Sequence, residues 1–405
     1  MNCWWVNHYA CSLDEPGGTR HHTLARLLGD HGIDVTLLAS SFHYSLLKDR
    51  LDPGEDWRVE MRDGVRYAWL RTRAYAENPI AKLRNMRSFA ARLPGFASMD
   101  KIPSPDVIVG SSPHLYAADA ARRLAAGMQV PFCCEIRDIW PESIVDVAGV
   151  SRWNPAVLHM GILERRIYRA ASCIFTLLPG SEQHIVAKGG LRDAITWIPN
   201  GIDPQHVPAP HPPPGEAPFT AMYAGAHGLA NGLECVVEAG RILQDDTGAD
   251  AFRIRLVGDG PLKVSLQNHA RMKAIEVVEF DDPVPKKDIY ATLQEADACL
   301  LPLKPGRVFR YGISPNKMFD YMAAGRPVIT AVDTPVNPVV DSGAGVSVAA
   351  GDPQALAAAL IDMKALGREE RVAMGERGRA AVLNQFNMGV LAERVAEALH
   401  GAAAG

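Results

Sequence analysis

The order of strands, glycine loops and helices is the feature of this sequence that most limits the folds it can adopt. It opens with the apolar segment CWWVN and passes through a loop that contains Gly17 and Gly18. A helical pattern (TLARLLGDHG) and a second apolar strand (DVTLLAS) follow. The same order begins again at FTAMYAGAHG, in the second half of the chain. Strands that alternate with helices in this way are typical of doubly wound parallel sheets, so the sequence predicts an α/β protein with two Rossmann-like domains.

The length and one proline-rich segment predict where these domains meet. A chain of 405 residues is too long for one ordinary core, which favours two domains of roughly 200 residues each. Residues 204–218 (PQHVPAPHPPPGEAP) are expected to form a stiff linker without any packed element. The predicted domains are residues 1–203 and 219–384, and residues 385–405 are predicted as a C-terminal helix that crosses back to the first domain.

Composition excludes several classes of protein. The net charge of -4 argues against a general nucleic-acid binder. The seven cysteines form no CxxC pair, which favours free thiols in a reducing compartment and no metal site. The N-terminus lacks the pattern of a signal peptide, and no apolar run is long enough to span a membrane. We therefore expect a cytoplasmic protein.

The stretch SPNKMFDYMAAGRPVI predicts a helix start, a short helix and a buried strand. Ser314 is the expected N-cap, Pro315 the first helical residue and Gly325 the left-handed C-cap. A helix start at the carboxyl edge of a parallel sheet favours phosphate binding. Lys317 would add a cation there, and Asp320 a carboxylate that can accept from a sugar diol. The alternative is an ordinary crossover helix whose Lys317 and Asp320 are solvated.

Two glycine loops are expected to lie at the same sheet edge as this helix start. One is AGAHG, which contains Gly225 and His227, and the other is VGDGPLK, which ends on Lys263. A lysine at that position can reach a phosphate held by a glycine turn. Each loop alone is a weak signal, but three such loops at one edge favour a diphosphate ligand, and hence a nucleotide or a nucleotide sugar.

In the first half, charged residues follow the predicted strand PFCCEI. Arg137, Asp138 and Glu142 stand just beyond it, where doubly wound sheets bind ligands. Asp138 is therefore a candidate functional residue, with a structural loop carboxylate as the alternative. The segment 78–99 predicts an amphipathic helix with basic residues and no acidic ones. Such a helix can lie on an anionic membrane surface, or it can be a surface helix packed on its own domain.

The chain resembles glycosyltransferase family 4, whose members have the GT-B fold of two Rossmann-like domains facing across a cleft. The likeness covers nearly the whole chain. Its segments EIRDIWPES and GISPNKMFDYMAAGRPVI are similar to those of bacterial N-acetylfucosaminyl-type transferases of surface-polysaccharide and O-antigen assembly. The residues that carry the family resemblance are Pro199–Asp203, Tyr223–Gly232, Leu256–Lys263 and Ser314–Ile329.

The resemblance implies a role for each matching residue. Lys263 and backbone N–H groups around Ser314, Pro315, Asn316 and Lys317 would hold the diphosphate of the sugar donor, beside Gly225 and His227. Asp320 would accept from the ribose, and the base would lie against Asp282, Pro283 and Val284. Gly17 and Gly18 would form the N-terminal side of the site. Asp138 would face the sugar and the acceptor, together with Arg137 and Glu142, so that Asp138 and Lys263 are the implied catalytic residues.

The chain departs from the family pattern at three positions. Gly312 stands where the family has the first glutamate of a pair, and Arg310 and Tyr311 are the nearest candidates to replace its contact with the sugar. His227 and Asn231 stand where the family has an arginine and a lysine. These changes leave fewer fixed positive charges for the leaving diphosphate.

The implied function is transfer of a sugar from a UDP-sugar to a lipid-linked or other glycan acceptor, with retention of anomeric configuration. The implied sugar is an N-acetylated amino- or deoxy-sugar, and we expect neither a metal nor another cofactor. Membrane contact through residues 78–99 would place the protein on the inner face of the membrane. The alternatives are a UDP-sugar 2-epimerase, which shares this fold, and a nucleotide-sugar-binding protein without catalysis.

Overall fold

Two parallel sheets, one for each half of the chain, organise the fold. This computed structural model describes residues 1–76, 78–98, 101–212 and 218–404. The chain divides into two units, the first made of Met1–Pro199 and Met388–Gly405 and the second of Asn200–Asn387.

The strands of the first unit are short, and most are buried. They are β1 (Asn2–Val6), β2 (Asp34–Ser40), β3 (Phe42–His43), β4 (Lys48–Asp49), β5 (Trp57–Arg62), β6 (Val65–Leu70), β7 (Val107–Ser111), β8 (Phe132–Ile136), β9 (Cys173–Thr176) and β10 (Ile195–Trp197). The main sheet has the order β10-β9-β8-β7-β1-β2-β6-β5, and β3 and β4 form a separate ribbon. Pairing in the main sheet is parallel except between β5 and β6, which form a hairpin.

The helices of the first unit cover this sheet. They are α1 (Arg20–Leu28), α2 (Pro79–Arg92), α3 (Leu115–Met128), α4 (Glu142–Ala148), α5 (Pro155–Ala170), α6 (Glu182–Ala187) and α14 (Met388–Ala404). The last of these packs on α1 and β9. Leu391, Val395 and Leu399 repeat at helical spacing and are buried in one core with Leu24. The end of the chain therefore belongs to the first unit.

The second unit repeats the architecture with a parallel sheet. Its strands are β11 (Phe219–Ala224), β12 (Phe252–Val257), β13 (Val278–Asp281), β14 (Ala298–Pro302), β15 (Val328–Ala331) and β16 (Gly345–Val348). Its helices are α7 (Leu233–Thr247), α8 (Lys263–Met272), α9 (Ile289–Leu293), α10 (Asn316–Ala323), α11 (Pro338–Asp341), α12 (Pro353–Ala365) and α13 (Gly367–Asn384). The strand order is β13-β12-β11-β14-β15-β16. The chain therefore changes direction across the sheet at β11 and β14, the point where such folds open a crevice at the carboxyl edge.

The proline-rich segment differs from its prediction. Residues 204–206 form one 3-10 turn, and the Gln205 N–H donates to the Asp203 carboxylate at 3.1 Å. Farther on, backbone carbonyls of the segment accept hydrogen bonds from side chains of the second unit: Pro208 from Arg379, Ala209 from Gln294 and His211 from Arg326. The expectation of no packed structure is therefore wrong for this part, and residues 213–217 lie outside the described residues.

The basic helix α2 buries only part of its apolar face. Ile80 and Leu83 are exposed, whereas Ala90 is buried. Asn85 and Phe89 are buried as well, because α2 lies on α3 and the Asn85 amide is held by polar partners inside the unit. Residues 93–98 continue as a 3-10 segment, and Met99 lies outside the described residues.

Candidate functional site

The start of α10 is held by a contact that the sequence did not predict. Ser314 does not cap the helix, because its hydroxyl accepts the backbone N–H of Asn200 at 2.8 Å. The Asn200 amide also donates to the Ser314 carbonyl at 2.5 Å. The N-cap is Pro315, and the first helical residue is Asn316. Proline offers no side-chain acceptor, so the first N–H groups of α10 are not capped by the residue before them.

Lys317, in the first turn of α10, turns inward rather than into solvent. Its ammonium donates to the Tyr223 hydroxyl at 2.5 Å and to Asn231 Oδ1 at 3.1 Å, and it lies 4.2 Å from the centre of the Tyr223 ring. Burial lowers the pKa of Lys317 to about 7. The alternative of a solvated lysine is therefore wrong. Since Tyr223 belongs to β11 and α10 follows β14, the contact lies at the point where the strand order reverses.

The two predicted glycine loops are in direct contact. Gly258 has a φ of +140°, and a Cβ atom there would lie 2.0 Å from the carbonyl oxygen of Gly225. A Cβ atom on Gly260 would lie 2.7 Å from the carbonyl oxygen of His227. The His227 N–H also donates to the Asp259 carbonyl at 2.8 Å. The loops after β11 and β12 therefore form one continuous backbone surface that only glycine permits at these positions.

Lys263 joins this surface to the loop after β13. Its ammonium donates to the carbonyls of Gly258 and Asp281 at 3.0 and 2.8 Å and to Asp282 Oδ1 at 3.2 Å. A lysine has three donor hydrogens, so these contacts use all of them. The side chain of Lys263 is 11% exposed and that of Asp282 is 99% exposed. The Asp282 carboxylate is thus the partner that an incoming anion can replace most easily. The predicted base-binding residues Pro283 and Val284 follow it in the same loop.

His227 lies inside this group of loops. Its side chain is fully buried, and neither ring nitrogen has a hydrogen-bond partner among the described residues. Burial lowers the pKa of His227, and the positive charges of Lys263 and Lys317 lower it further, while Asp259 opposes them. The imidazole is therefore neutral here.

Asp320 lies one turn after Lys317, on the same side of α10. Burial raises the pKa of its carboxyl group to about 6, with Lys286 and a hydrogen bond from Tyr290 opposing the rise. The Tyr290 hydroxyl donates to Asp320 Oδ1 at a long distance of 3.4 Å. The carboxylate therefore retains the capacity to accept from a diol, and its predicted role towards a ribose stays a prediction.

Near Gly312, the two residues proposed to replace the missing glutamate contact one another. The Arg310 guanidinium donates to the Tyr311 hydroxyl at 2.5 Å and lies 4.7 Å from the centre of its ring. Tyr311 is buried and Arg310 is exposed. The pair offers a fixed cation beside Gly312, where the backbone has a φ of +101°.

In the first unit, the structure separates the residues predicted after β8. Asp138 is solvent-accessible, yet desolvation by the surrounding protein raises the pKa of its carboxyl group and Arg137 opposes the rise. Glu142 instead begins α4, and its carboxylate lies 3.6 Å from Nδ1 of His184.

The glycine pair before α1 has two different environments. Gly17 has a φ of +143°, and a Cβ atom there would lie 2.7 Å from Cys11 Sγ and 2.8 Å from the Tyr44 hydroxyl. A Cβ atom on Gly18 would meet nothing within 4 Å. Gly17 is therefore required for packing, and the open side of the loop is at Gly18.

A buried charge cluster that the sequence did not predict lies next to this loop along the chain. Glu135 lies inside β8, where it accepts from Arg20 Nε at 3.0 Å and from His21 Nε2 at 2.6 Å. Burial alone would raise the pKa of Glu135, but His21 and Arg20 hold it well below its usual range. Arg20 also donates to the carbonyls of Ile198 and Pro199 at 2.9 and 2.5 Å. Arg20 thus fixes the last residues of the first unit before the chain enters the second.

A buried histidine pair was also missed. His8 Nε2 bonds Asn85 Oδ1 at 2.8 Å, and His114 Nδ1 accepts the Ala117 N–H at 3.2 Å. Their rings lie 4.8 Å apart, and the second nitrogen of each has no partner among the described residues. Both residues follow strand ends, β1 and β7, so the rule that selected Asp138 would have found them.

One group of side chains in the described part of the chain could approach a single metal ion: Cys11, Glu15 and His43. Arg50 already occupies the Glu15 carboxylate through two hydrogen bonds of 2.7 and 2.8 Å. His43 Nδ1 accepts the backbone N–H groups of Ser45 and Leu46, which leaves the proton on Nε2, the nitrogen that faces Cys11. A protonated nitrogen is not a metal ligand, so these residues do not fit a metal site.

Comparison with known families finds one match in each half of the chain. Residues 17–201 match the family described as "Glycosyl transferase 4-like domain", and residues 218–365 match "Glycosyl transferases group 1". A protein of Salmonella typhimurium named "Putative colanic acid biosynthesis glycosyltransferase WcaL" is 30% identical over 170 residues, which are 42% of this chain and 41% of that protein. The amylovoran biosynthesis glycosyltransferase AmsK of Erwinia amylovora is 28% identical over 230 residues, or 55% of each chain. The matches thus span about half the length of these relatives.

Solved structures show the same fold. Sucrose-phosphate synthase from Thermosynechococcus elongatus superposes with a TM-score of 0.76 at 16% identity, covering 99% of this chain and 98% of that one. Anabaena HepE, solved in complex with UDP and glucose, superposes with a TM-score of 0.69 at 14% identity, covering 99% and 100%. The predicted fold class, α/β of the GT-B type with two Rossmann-like domains, is confirmed.

Proposed function

We propose that this chain is a glycosyltransferase of polysaccharide assembly that transfers a sugar from a UDP-sugar to a glycan acceptor. The observation that carries the proposal is the convergence of Lys317, the two interlocked glycine loops and the start of α10 where the strand order of the second sheet reverses. Support also comes from relatives named for colanic acid and amylovoran biosynthesis and from HepE, a structural neighbour solved with UDP-glucose.

The second unit holds the sugar donor in this proposal. As the bond between sugar and diphosphate breaks, negative charge grows on the diphosphate oxygen. Lys317 and the first N–H groups of α10 stabilise that charge where it develops, and Lys263 reaches the diphosphate when it releases Asp282. Asp320 accepts from the ribose diol, and the loop of Asp282, Pro283 and Val284 lies against the uracil. Arg310 contacts the sugar in place of the glutamate that Gly312 replaces.

The first unit supplies the acceptor side. Asp138 is an accessible carboxylate whose pKa is raised, so it is suited to orient an acceptor hydroxyl or to take its proton. Arg137 is its neighbour in the same loop, and Gly18 leaves open space for the sugar. The proposal includes attack from the face that the diphosphate leaves, which retains anomeric configuration, and no metal or cofactor. The sugar type implied by the resemblance is an N-acetylated amino- or deoxy-sugar.

The first unit also presents an arginine-rich face that fits an anionic membrane carrying a lipid-linked acceptor. A groove of about 620 Å³ is lined by Arg71, Arg73, Arg84, Arg87 and Arg92, and its lining contains no acidic residue. A second groove of about 610 Å³ shares Arg87 and adds Arg122, Arg123 and Arg166, with Asp119.

The exposed Ile80 and Leu83 lie on the same helix as Arg84 and Arg87. Arginines beside exposed apolar side chains are typical of interfacial helices. Among the described residues, no helix is both long and apolar enough to cross a bilayer.

Thermal stabilisation by nucleoside diphosphates tests the proposal. A ligand that binds only the folded state raises the melting temperature, so UDP should raise it, whereas GDP and ADP should not. UDP-sugars should then be screened with lipid-linked glycan acceptors. If no nucleoside diphosphate stabilises the protein, the loops of the second unit are not a diphosphate site and the proposal is wrong.

Turnover measured with and without an acceptor distinguishes the transferase from the two alternatives, a 2-epimerase and a binding protein without catalysis. A 2-epimerase converts a UDP-sugar without an acceptor, which is visible when the donor alone is incubated with the protein. A binding protein without catalysis is stabilised by UDP but turns over no donor with any acceptor. The arginine-rich face of the first unit favours transfer over both, because neither alternative needs an acceptor surface.

A further inference from the structure

Lys317 has a partly buried ammonium group, and its two side-chain partners, Tyr223 and Asn231, are uncharged. Desolvation lowers its pKa, and no carboxylate near it opposes the shift among the described residues. It also stands in the first turn of α10, where the helix dipole is positive. A covered cation at a positive helix end is unfavourable, so this position disfavours the charged form of Lys317.

His227 is also a polar group whose burial is not compensated by hydrogen bonds to the described residues. Its ring is buried, the positive charges of Lys263 and Lys317 lower its pKa, and both of its nitrogens are without partners among the described residues. A neutral imidazole has one donor and one acceptor, and each costs free energy when it is buried without a partner. The two ring nitrogens of His227 can therefore bind a ligand that enters the site without losing a bond to another described residue.

The charged and titratable groups around this pair come from four elements. Tyr223 of β11 lies with its ring centre 6.1 Å from that of His227, and Asp259 follows β12. Lys263 begins α8 and Lys317 lies in α10, so two cations face one carboxylate. Phe280 of β13 closes the remaining side with its ring centre at 6.4 Å. The local balance therefore opposes positive charge on both His227 and Lys317 while the site is empty.

We propose that the diphosphate site becomes fully charged only on binding: His227 and Lys317 are largely neutral in the empty protein and take up protons from solvent as the diphosphate enters. This inference rests on the proposed function, because it needs a diphosphate at this site. The only bonds that form are N–H bonds on His227 and Lys317, and for each of them water or buffer gives up one bond to hydrogen. The anion supplies the counter-charge that Lys317 lacks and the hydrogen-bond partner that His227 lacks.

The consequence is a sugar-donor site whose affinity depends on pH above neutrality. A fixed arginine is charged at every pH, whereas a neutral lysine and a neutral histidine must gain protons before they can neutralise phosphate. The phosphate groups of UDP are fully ionised above pH 7.5, since their last pKa is about 6. Any change of affinity between pH 7.5 and pH 9 therefore reports groups of the protein. For one linked proton, the Kd for UDP should rise towards tenfold per pH unit.

Calorimetric titration of UDP into the unmodified protein at pH 8 tests this directly. The observed heat is compared in buffers of low and high ionisation enthalpy, such as phosphate and Tris, and its slope gives the number of protons taken up. We expect an uptake of between about one and two protons for each UDP bound, because both His227 and Lys317 gain charge. Binding without net proton uptake would overturn this inference and leave the proposed function intact. No binding of UDP at any pH would overturn both.

Variants assign the protons to the two residues. Lys317→Arg carries a charge at every pH, and His227→Gln cannot be protonated, so the uptake should fall in each and be absent in the double variant. Lys273→Arg is the control, because it makes the same substitution outside the site. Lys273 is exposed at the end of α8. A melting temperature confirms that each variant is folded. An undiminished uptake in the folded double variant would show that other groups take up the protons, which contradicts the inference.

Discussion

Gly258 and Gly225 touch so closely that a Cβ atom on Gly258 would lie 2.0 Å from the carbonyl oxygen of Gly225. This contact locks the loops after β11 and β12 into one surface at the carboxyl edge of the second sheet. The loops can therefore hold His227 and Lys263 in fixed positions without any hydrogen bond between those two side chains. Backbone contact, rather than side-chain chemistry, builds the floor of the candidate site.

Replacing Gly258 by alanine should disrupt this surface. The substitution adds both a steric overlap with backbone and the strain of a positive φ, so we expect a loss of about 2–4 kcal/mol in the free energy of unfolding. UDP binding should be lost as well. Gly54→Ala is the control, because Gly54 also has a positive φ of +88° but open space around its Cβ position. It should cost only about 1 kcal/mol, measured by denaturant unfolding. Equal losses in the two variants would contradict the role of the loop contact.

Lys263 should be important for UDP binding and moderately important for stability. Lys263→Met leaves the buried carbonyls of Gly258 and Asp281 without their donor, at a cost of about 1–3 kcal/mol in the free energy of unfolding. The Kd for UDP should rise by about tenfold or more, since a charge-assisted contact with phosphate is lost. Asp282→Asn is the matched control. Because the Asp282 side chain is 99% exposed, its removal should change stability by less than about 0.5 kcal/mol. An Asp282 variant as unstable as Lys263→Met would show that the ion pair, not the carbonyl contacts, holds the loop.

Asp320 should make stability depend on pH in an unusual direction. Its pKa is raised from an ordinary value of 3.8 to about 6 in the folded protein. The folded state therefore binds more protons than the unfolded state between pH 4 and pH 6, and stability falls as pH rises through this window. Two pKa units correspond to about 2–3 kcal/mol.

Asp320→Asn removes this titration. The variant should be more stable than the parent at pH 7 and lose the fall between pH 4 and pH 6, while its affinity for UDP decreases because the ribose loses an acceptor. Unfolding free energies measured by urea at pH 4, 5, 6 and 7 check the first part. If the parent and the variant show the same pH profile, Asp320 does not titrate in this range.

Asp138 should separate catalysis from donor binding. Asp138→Asn keeps the size of the side chain but cannot take a proton, so turnover should fall by about 10²–10⁴-fold, the usual contribution of a general base. The melting-temperature shift with UDP should remain, because the proposed UDP contacts belong to the second unit. Retained turnover would identify Asp138 as a structural loop residue, the alternative that the sequence left open. Glu142→Gln is the control, because it makes the same change from carboxylate to amide at a nearby residue. The Glu142 carboxylate lies beside His184.

The sequence predicted the fold because its signals are local and agree with one another. Buried apolar strands, glycine loops and helical spacing recur in both halves, and each signal needs only a few neighbouring residues. It also placed Lys263 and Lys317 correctly at helix starts of the second unit. What it could not predict were long-range partners. Ser314 was expected to cap α10, but Asn200, 114 residues earlier, takes its hydroxyl.

The same limit explains the errors in the first unit and the proline-rich segment. The burial of Asn85 in α2 was not predicted, because it depends on partners that follow β1 and β6. Glu135 was not singled out, because its partners Arg20 and His21 come from α1. Proline composition predicted no packing for residues 204–218, but arginines more than 100 residues away bind the carbonyls of Pro208 and His211.

The arginine-rich face should control membrane contact. Arg84 and Arg87 are exposed, line the larger groove and make no ion pair among the described residues, so their replacement by glutamine should leave stability within about 0.5 kcal/mol. Binding to anionic vesicles should weaken by about 1 kcal/mol for each arginine removed, or roughly tenfold to thirtyfold for the pair. Sedimentation with phosphatidylserine-containing vesicles measures this, and the parent protein should bind less at high salt because exposed charges are screened.

A matched control keeps this test specific to the surface. Arg368→Gln removes the same charge from an exposed position in α13 of the second unit and should leave vesicle binding unchanged. Ile80→Ser tests the apolar contribution. The Ile80 side chain is 63% exposed in the protein and would become buried only at a membrane. It should weaken vesicle binding without lowering the melting temperature. A parent protein that does not sediment with anionic vesicles at low salt would show that the grooves do not serve a membrane, and the acceptor would then be a soluble glycan.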